Sequence, residues 1–324
     1  SPTTPGILNM SPFFTSGVLT RRVAIAVLTM TALLACNRGG DAGGKPVVAL
    51  VMKTLNNQFF IDMEAGARSV ADSLGLELIV QAPEREIDVE KQMQIVENLL
   101  QRKIRVLALV PSGSKEIVPA VLKANAAQVP VITVDTRVDA ATLKAANGTV
   151  ATFIGSDNVD GGRIAGAFIA ELLKGKGTVA VLEGIPGHET GDARLRGFRE
   201  SMQANSGLSI VASQTANWER DQAFNVMQNM LQAHADIGAV FACNDVMALG
   251  AVEAIAAAGR TASIRVVGFD AQDDARKAVT EQRMAGTIAQ NPREMGRLAM
   301  LTAARLLKGE AVAAEQPVPI ALIK

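Results

Sequence analysis

The chain contains no tyrosine, a single tryptophan and only ten phenylalanines in 324 residues. With aromatic surface this scarce, the adjacent pair Phe59-Phe60 in KTLNNQFFIDMEAG (residues 53–66) asks for a reason beyond packing, the more so because the amides Asn56 and Asn57 precede it. There are two histidines, and neither stands in a spacing with cysteine or carboxylates typical of zinc, so no metal and no cofactor are expected. Neither sign of charge is in excess: Lys plus Arg and Asp plus Glu both number 32. Without a basic field nothing calls for nucleic acid, and a neutral partner is expected in its place. No apolar run is long enough to make a convincing membrane span.

The longest such run is VAIAVLTMTALLA (residues 23–35), preceded by Arg21-Arg22 and followed by Cys36. A basic pair, a short apolar stretch and a small residue at the cut make a secretory signal. Leu33-Leu34-Ala35-Cys36 looks like a bacterial lipobox, so residues 1–36 read as a lipoprotein signal with Cys36 as the lipidated residue. A plain signal ending by chance in cysteine is the alternative. The Gly-rich stretch 37–45 suits a flexible tether. The expected location is the periplasm or the outer face of the cell membrane, held by a lipid anchor. The other cysteine, Cys243, lies in the apolar run GAVFAC and reads as a buried, inert thiol; the exported domain therefore has no internal disulfide and rests on its core.

From residue 46 short β-branched runs alternate with amphipathic stretches. VVALVM (47–52), ELIVQ (77–81), VLALVP (106–111) and VPVITVD (129–135) form one series; TVAVLEG (178–184), LSIVASQ (208–214), GAVFACND (238–245) and IRVVGFD (264–270) form a second. Strands that alternate with helices imply parallel sheets covered on both faces, so the fold class is α/β with two doubly wound, Rossmann-like lobes. The first helix is expected from about Ile61 to Leu74. Ligands of such sheets bind beyond the carboxyl ends of the strands. There the sequence places Lys53 and Asn57, Asp135, Asn244-Asp245, Phe269-Asp270 and Gln290-Asn291. Asp245 and Asn291 read as caps of the helices that follow.

KTLNNQFF, VPVITVD, GSDNVDGG, NVMQNML, VFACNDVMALGA, VVGFDA and GTIAQ, in this order, resemble the successive signatures of periplasmic ribose-binding proteins over nearly all of residues 46–324. That resemblance implies two lobes joined by three crossover segments (the type I periplasmic binding fold), which close on a sugar and deliver it to the permease subunits of an ABC importer. The expected lobes are residues 46–156 with 290–316, and 157–289 with 317–324. A monomer is expected, with a chemoreceptor as a further possible partner. Carried over by position, the resemblance assigns ligand contact to Asn57, Phe59, Phe60, Asp135, Arg194, Trp218, Asn244, Phe269, Asp270 and Gln290. The residue types fit: carboxylates and amides meet a sugar's hydroxyl edge, and rings cover its C–H faces.

Two departures from the family matter. Lys53 stands where ribose receptors commonly carry serine, and Thr136 where they carry a second arginine; Trp218 replaces a usual phenylalanine. Lys53 is expected to supply the cation that Thr136 cannot, and both join the expected site. His188-Glu189 is expected in a solvated loop.

An enzyme, a regulator and a sensor are the rival readings. Ser112-Gly113-Ser114-Lys115 and Ser156-Asp157-Asn158 resemble motifs of penicillin-recognising serine enzymes, but the K-T-G element is missing. Gly175-Lys176-Gly177-Thr178 leads into a strand, which defeats a nucleotide loop. A lactose-repressor-type regulator needs a helix-turn-helix ahead of the core, where this chain carries a signal and tether. A sugar or furanose-signal sensor uses the same fold. The expectation is a receptor, not an enzyme.

Overall fold

The computed structural model describes Gly6 and residues 44–324. The expected signal (1–36), Cys36 and all but the end of the tether (37–45) lie outside the described residues. The chain divides into a unit of residues 1–44 and one of residues 45–324, and the fold is that of the second.

It opens with β1 (Val47–Val51), α1 (Gln58–Ala71), β2 (Glu77–Gln81), α2 (Val89–Gln101), β3 (Val106–Leu109), α3 (Val118–Ala126), β4 (Val131–Val134), α4 (Ala140–Ala145) and β5 (Thr152–Gly155). The same alternation resumes with α5 (Asn158–Leu172), β6 (Gly177–Glu183), α6 (Glu189–Gln203), β7 (Leu208–Thr215), α7 (Arg220–Ala233), β8 (Ile237–Ala242), α8 (Asp245–Ala257), β9 (Arg265–Asp270), α9 (Asp273–Thr280) and β10 (Gly286–Ala289). Helix α10 (Pro292–Leu307) and strands β11 (Glu315–Pro317) and β12 (Ala321–Ile323) complete it.

Two six-stranded sheets result, ordered β11-β5-β4-β3-β1-β2 and β12-β10-β9-β8-β6-β7. All pairings are parallel except that of β10 with β12. The parallel strands are legible as unbroken apolar runs because helices cover both faces: every residue of VLAL and VITV is buried. The chain passes between the sheets three times, after β5, after β10 and after β11. Pro317, expected to begin the tail of the second lobe, still pairs with Gly155 in the first sheet.

Helix α10 returns to the first sheet and packs on α1, with Met295, Ala299, Met300 and Ala303 joining Phe60, Met63 and Ala67 in one core. The two backbones touch: a Cβ on Gly66 would stand 1.8 Å from the Arg293 carbonyl oxygen, and one on Gly296 1.9 Å from that of Met63. Only glycine permits this approach. Helix α1 begins three residues before the expected Ile61, because the Asn57 side chain accepts from the Phe59 amide and caps it. That cap turns both phenylalanines inward at the carboxyl end of the first sheet.

Candidate functional site

The first lobe builds one wall of a cleft. Phe59 and Phe60 are buried on the first turn of α1 and meet edge to face, with centroids 5.4 Å apart. Lys53, just past β1, sends its ammonium to 3.5 Å from Asp135 Oδ2 and 5.9 Å from the Phe60 ring centre. Asp135 follows β4 with φ of 61°, a left-handed conformation that costs a non-glycine residue about 1–3 kcal/mol and here aims the carboxylate across the strand ends. The Thr136 hydroxyl donates to the same Oδ2 at 2.9 Å. Glu86, from the loop between β2 and α2, accepts from Asn57 Nδ2 at 3.3 Å. Burial raises the Glu86 carboxyl above its ordinary range, while Lys53 and the Asn57 bond pull it back.

The second lobe answers with a similar set. Arg194 on α6 donates from Nε to Asn158 Oδ1 (2.8 Å) and from Nη1 to the Cys243 carbonyl (2.7 Å), and stands 3.4 Å from Asp270 Oδ1. Its guanidinium lies 3.9 Å over the Phe269 ring. Asp270 ends β9 with φ of 112° and accepts from Gln290 Nε2 at 2.8 Å. Burial lifts this carboxyl to about 6, against the opposing pull of Arg194 and Gln290. Trp218 (φ 65°) packs its indole on Gly184 and donates from Nε1 to His188 Nδ1 at 3.3 Å.

Between these walls is a small cavity, lined by Lys53, Asn57, Phe59, Phe60, Glu86 and Asp135 from one lobe and Thr190, Arg194, Trp218, Asn244 and Asp270 from the other. Each wall thus carries a carboxylate beside a cation and apolar rings beside both.

The sequence model of the periplasmic binding protein domain family matches residues 48–311. The ribose import binding protein of Escherichia coli (strain K12) is 40% identical over 299 residues, 92% of this chain and 97% of that protein. The chain belongs to the type I periplasmic binding protein family. A D-allose-binding periplasmic protein of the same organism is 37% identical over 76% of this chain and 80% of its own. A crystal structure of an ABC transporter periplasmic solute binding protein from Actinobacillus succinogenes 130z with bound D-allose superposes with a TM-score of 0.83, at 37% identity, covering 86% of this chain and 98% of that one.

In this periplasmic binding protein Lys53, Asn57, Phe59, Phe60, Asp135, Arg194, Trp218, Asn244 and Asp270 come together as lining of one cavity. Three expected contacts stand behind it. Thr136 is fully buried with its hydroxyl on Asp135, Phe269 lies beneath the Arg194 guanidinium, and Gln290 is turned to Asp270.

One capping assignment moves by a residue. Asn244 caps α8, accepting from the Met247 amide at 2.8 Å, while still lining the cavity. Asp245, expected as the cap, is fully buried and accepts from the Thr287 hydroxyl and the Gln272 amide. Asn291 caps α10 as expected. His188 is not solvated: it is 4% exposed, and burial, then Lys53, lowers its pKa to about 3. Glu86 and Thr190 were missed. Thr190 opens α6 two residues after His188, and Glu86 sits in an irregular acidic loop; neither belongs to a periodic pattern. Cys243 is buried completely, and burial pushes its thiol up to about 12.

Proposed function

We propose that this chain is the substrate-binding protein of an ABC sugar importer and holds a ribose-like monosaccharide, pentose or hexose, between its lobes. The observation that carries the reading is the pairing, on both walls of one small cavity, of a carboxylate with a cation: Asp135 with Lys53 and Asp270 with Arg194. A sugar ring needs acceptors and donors around its edge and apolar cover on its faces, and Phe59, Phe60 and Trp218 give the cover. A neutral hydrogen bond nets about 1 kcal/mol and a charged one about 1.5–3, so several acting together reach micromolar affinity, about −8 kcal/mol.

The relatives that carry ribose and D-allose in their names support a neutral monosaccharide. The walls belong to different sheets, so binding bridges the lobes and draws an open ensemble closed. The proposed lobes are residues 46–156 with 290–317, through the end of β11, and 157–289 with the tail that carries β12, moving about the three crossovers. The protein works without catalysis, as an exported, Cys36-anchored receptor that presents its closed rim to permease subunits.

Calorimetric titration with ribose, allose, xylose, fructose, galactose and ribitol tests the reading. Tight binding of one or more of these, with compaction in small-angle scattering at saturation, is expected. Silence across the panel refutes the sugar reading, and binding without compaction refutes the clamp.

A further inference from the structure

We propose that Gln272 is the latch of the closed cleft: it touches no ligand, yet sets how long one stays. The proposal rests on the sugar reading above. Gln272 Nε2 donates to Asn57 Oδ1 at 3.0 Å, a bond from the second lobe to the first. Asn57 lines the cavity, whereas Gln272 lines only an outer groove. Cavity and groove abut along Asn57, Glu86 and Trp218. The bond therefore braces the wall past which a ligand leaves toward solvent.

Both ends are fixed before they meet. Asn57 Oδ1 also accepts from the Phe59 amide at 3.0 Å, and its Nδ2 donates to Glu86, so the amide cannot turn over without uncapping α1. On the other side the Gln272 amide donates to Asp245 Oδ2 at 2.8 Å, and Asp245 Oδ1 accepts from the Thr287 hydroxyl at 2.7 Å. The Ala271 amide donates to Thr287 Oγ1 at 3.2 Å. These bonds hold Asp270 and Ala271 at φ of 112° and 54°. One pinned turn thus carries a cavity carboxylate and, two residues on, the latch. Closure that brings Asp270 to a ligand brings Gln272 to Asn57. Another interlobe bond, from the Glu189 amide to Ser114 Oγ at 3.2 Å, uses a backbone donor and persists when Gln272 is changed.

A neutral hydrogen bond present in the closed state and lost on opening changes the release rate roughly two- to tenfold. The chain's single tryptophan is Trp218, in the cavity wall, so its fluorescence follows occupancy. Stopped-flow measurements with D-ribose and D-allose compare the wild type with Gln272→Ala and Gln272→Glu. The glutamate has the same length but cannot donate to Asn57 Oδ1, and it faces Glu86. Both variants are expected to release sugar about three- to tenfold faster, with association within about twofold of the wild type and the melting temperature of the sugar-free protein unchanged. Release at the wild-type rate in either variant, or faster release accompanied by lower sugar-free stability, overturns the latch alone. A wild type silent to both sugars overturns the sugar reading and the latch with it.

Discussion

Lys53 and Asp135 face each other at 3.5 Å from the ends of β1 and β4, strands that β3 separates, and each is almost wholly withdrawn from water. A buried pair of this kind gains little over an apolar replacement, but removing one partner strands the other. Asp135→Ala is expected to weaken sugar binding by about 2–5 kcal/mol. Adding Lys53→Ser is expected to cost less than the sum of the single changes, by about 0.5–3 kcal/mol, because no charge is then left alone. A double-mutant cycle by calorimetry checks this, and strict additivity refutes the pairing.

Asp270 makes binding depend on pH. Its carboxyl titrates at about 6, and below that value protonation cancels its charge toward Arg194 and a bound hydroxyl. Sugar affinity is expected to fall as pH drops through 6, approaching tenfold per unit. The fold responds with the opposite sign. Between about 6 and the ordinary 3.8 the folded chain holds a proton here that the unfolded chain lacks, so this group alone adds stability as pH falls. Titrations on either side of pH 6 suffice; an affinity flat across that value excludes the role.

His188 acts the other way on stability. Its imidazole is buried and neutral, with a pKa of about 3 against an ordinary 6.5. In that window the unfolded chain takes up a proton that the folded chain refuses, so stability is lost as pH falls from 6.5 toward 3. His188→Gln keeps an acceptor for Trp218 and removes the titration. Denaturant unfolding of the two proteins over this range is expected to show a shallower acid loss in the variant, and parallel curves would contradict the assignment.

Gly184→Ala tests the floor under the indole. The added methyl would stand 2.0 Å from the Trp218 ring, so the ring must move. Overpacking of this sort costs about 1–3 kcal/mol in stability. Because Trp218 is a wall of the cavity, sugar affinity is expected to drop by more than the drop caused by an alanine placed at exposed Gly44, which has open space around it. Fluorescence titration of both variants measures the difference.

The parallel strands were legible in the sequence because burial on both faces leaves no polar alternation to confuse them with anything else. The convergence of their polar ends followed from topology alone: a doubly wound sheet puts its active edge at one end, and two such sheets bring two edges together. What escaped were groups whose duty is settled by a neighbour. Asn244 and Asp245 are adjacent at a helix start, and sequence cannot tell which caps and which is pulled inward by Thr287 and Gln272, since that depends on β9 and β10. Glu86 enters the cavity because Asn57 holds it, across a separation of 29 positions. Thr136, Phe269 and Gln290 were expected as contacts from the family resemblance, and what the sequence alone does not show is that their side chains also meet Asp135, Arg194 and Asp270.

The return of α10 and β11 to the first sheet has a consequence in time. The ribosome finishes β5 at Gly155 but does not reach Pro292 until all of the second lobe except β12 has been made, roughly seven to twenty-seven seconds later at 5–20 residues per second. Through that interval the α1 surface that Met295, Ala299 and Met300 will cover has nothing of its own to rest on. The lobe begun first therefore waits for nearly all of the second before it is complete, and a nascent chain halted anywhere before residue 292 displays an uncovered apolar flank that a holding chaperone would grip.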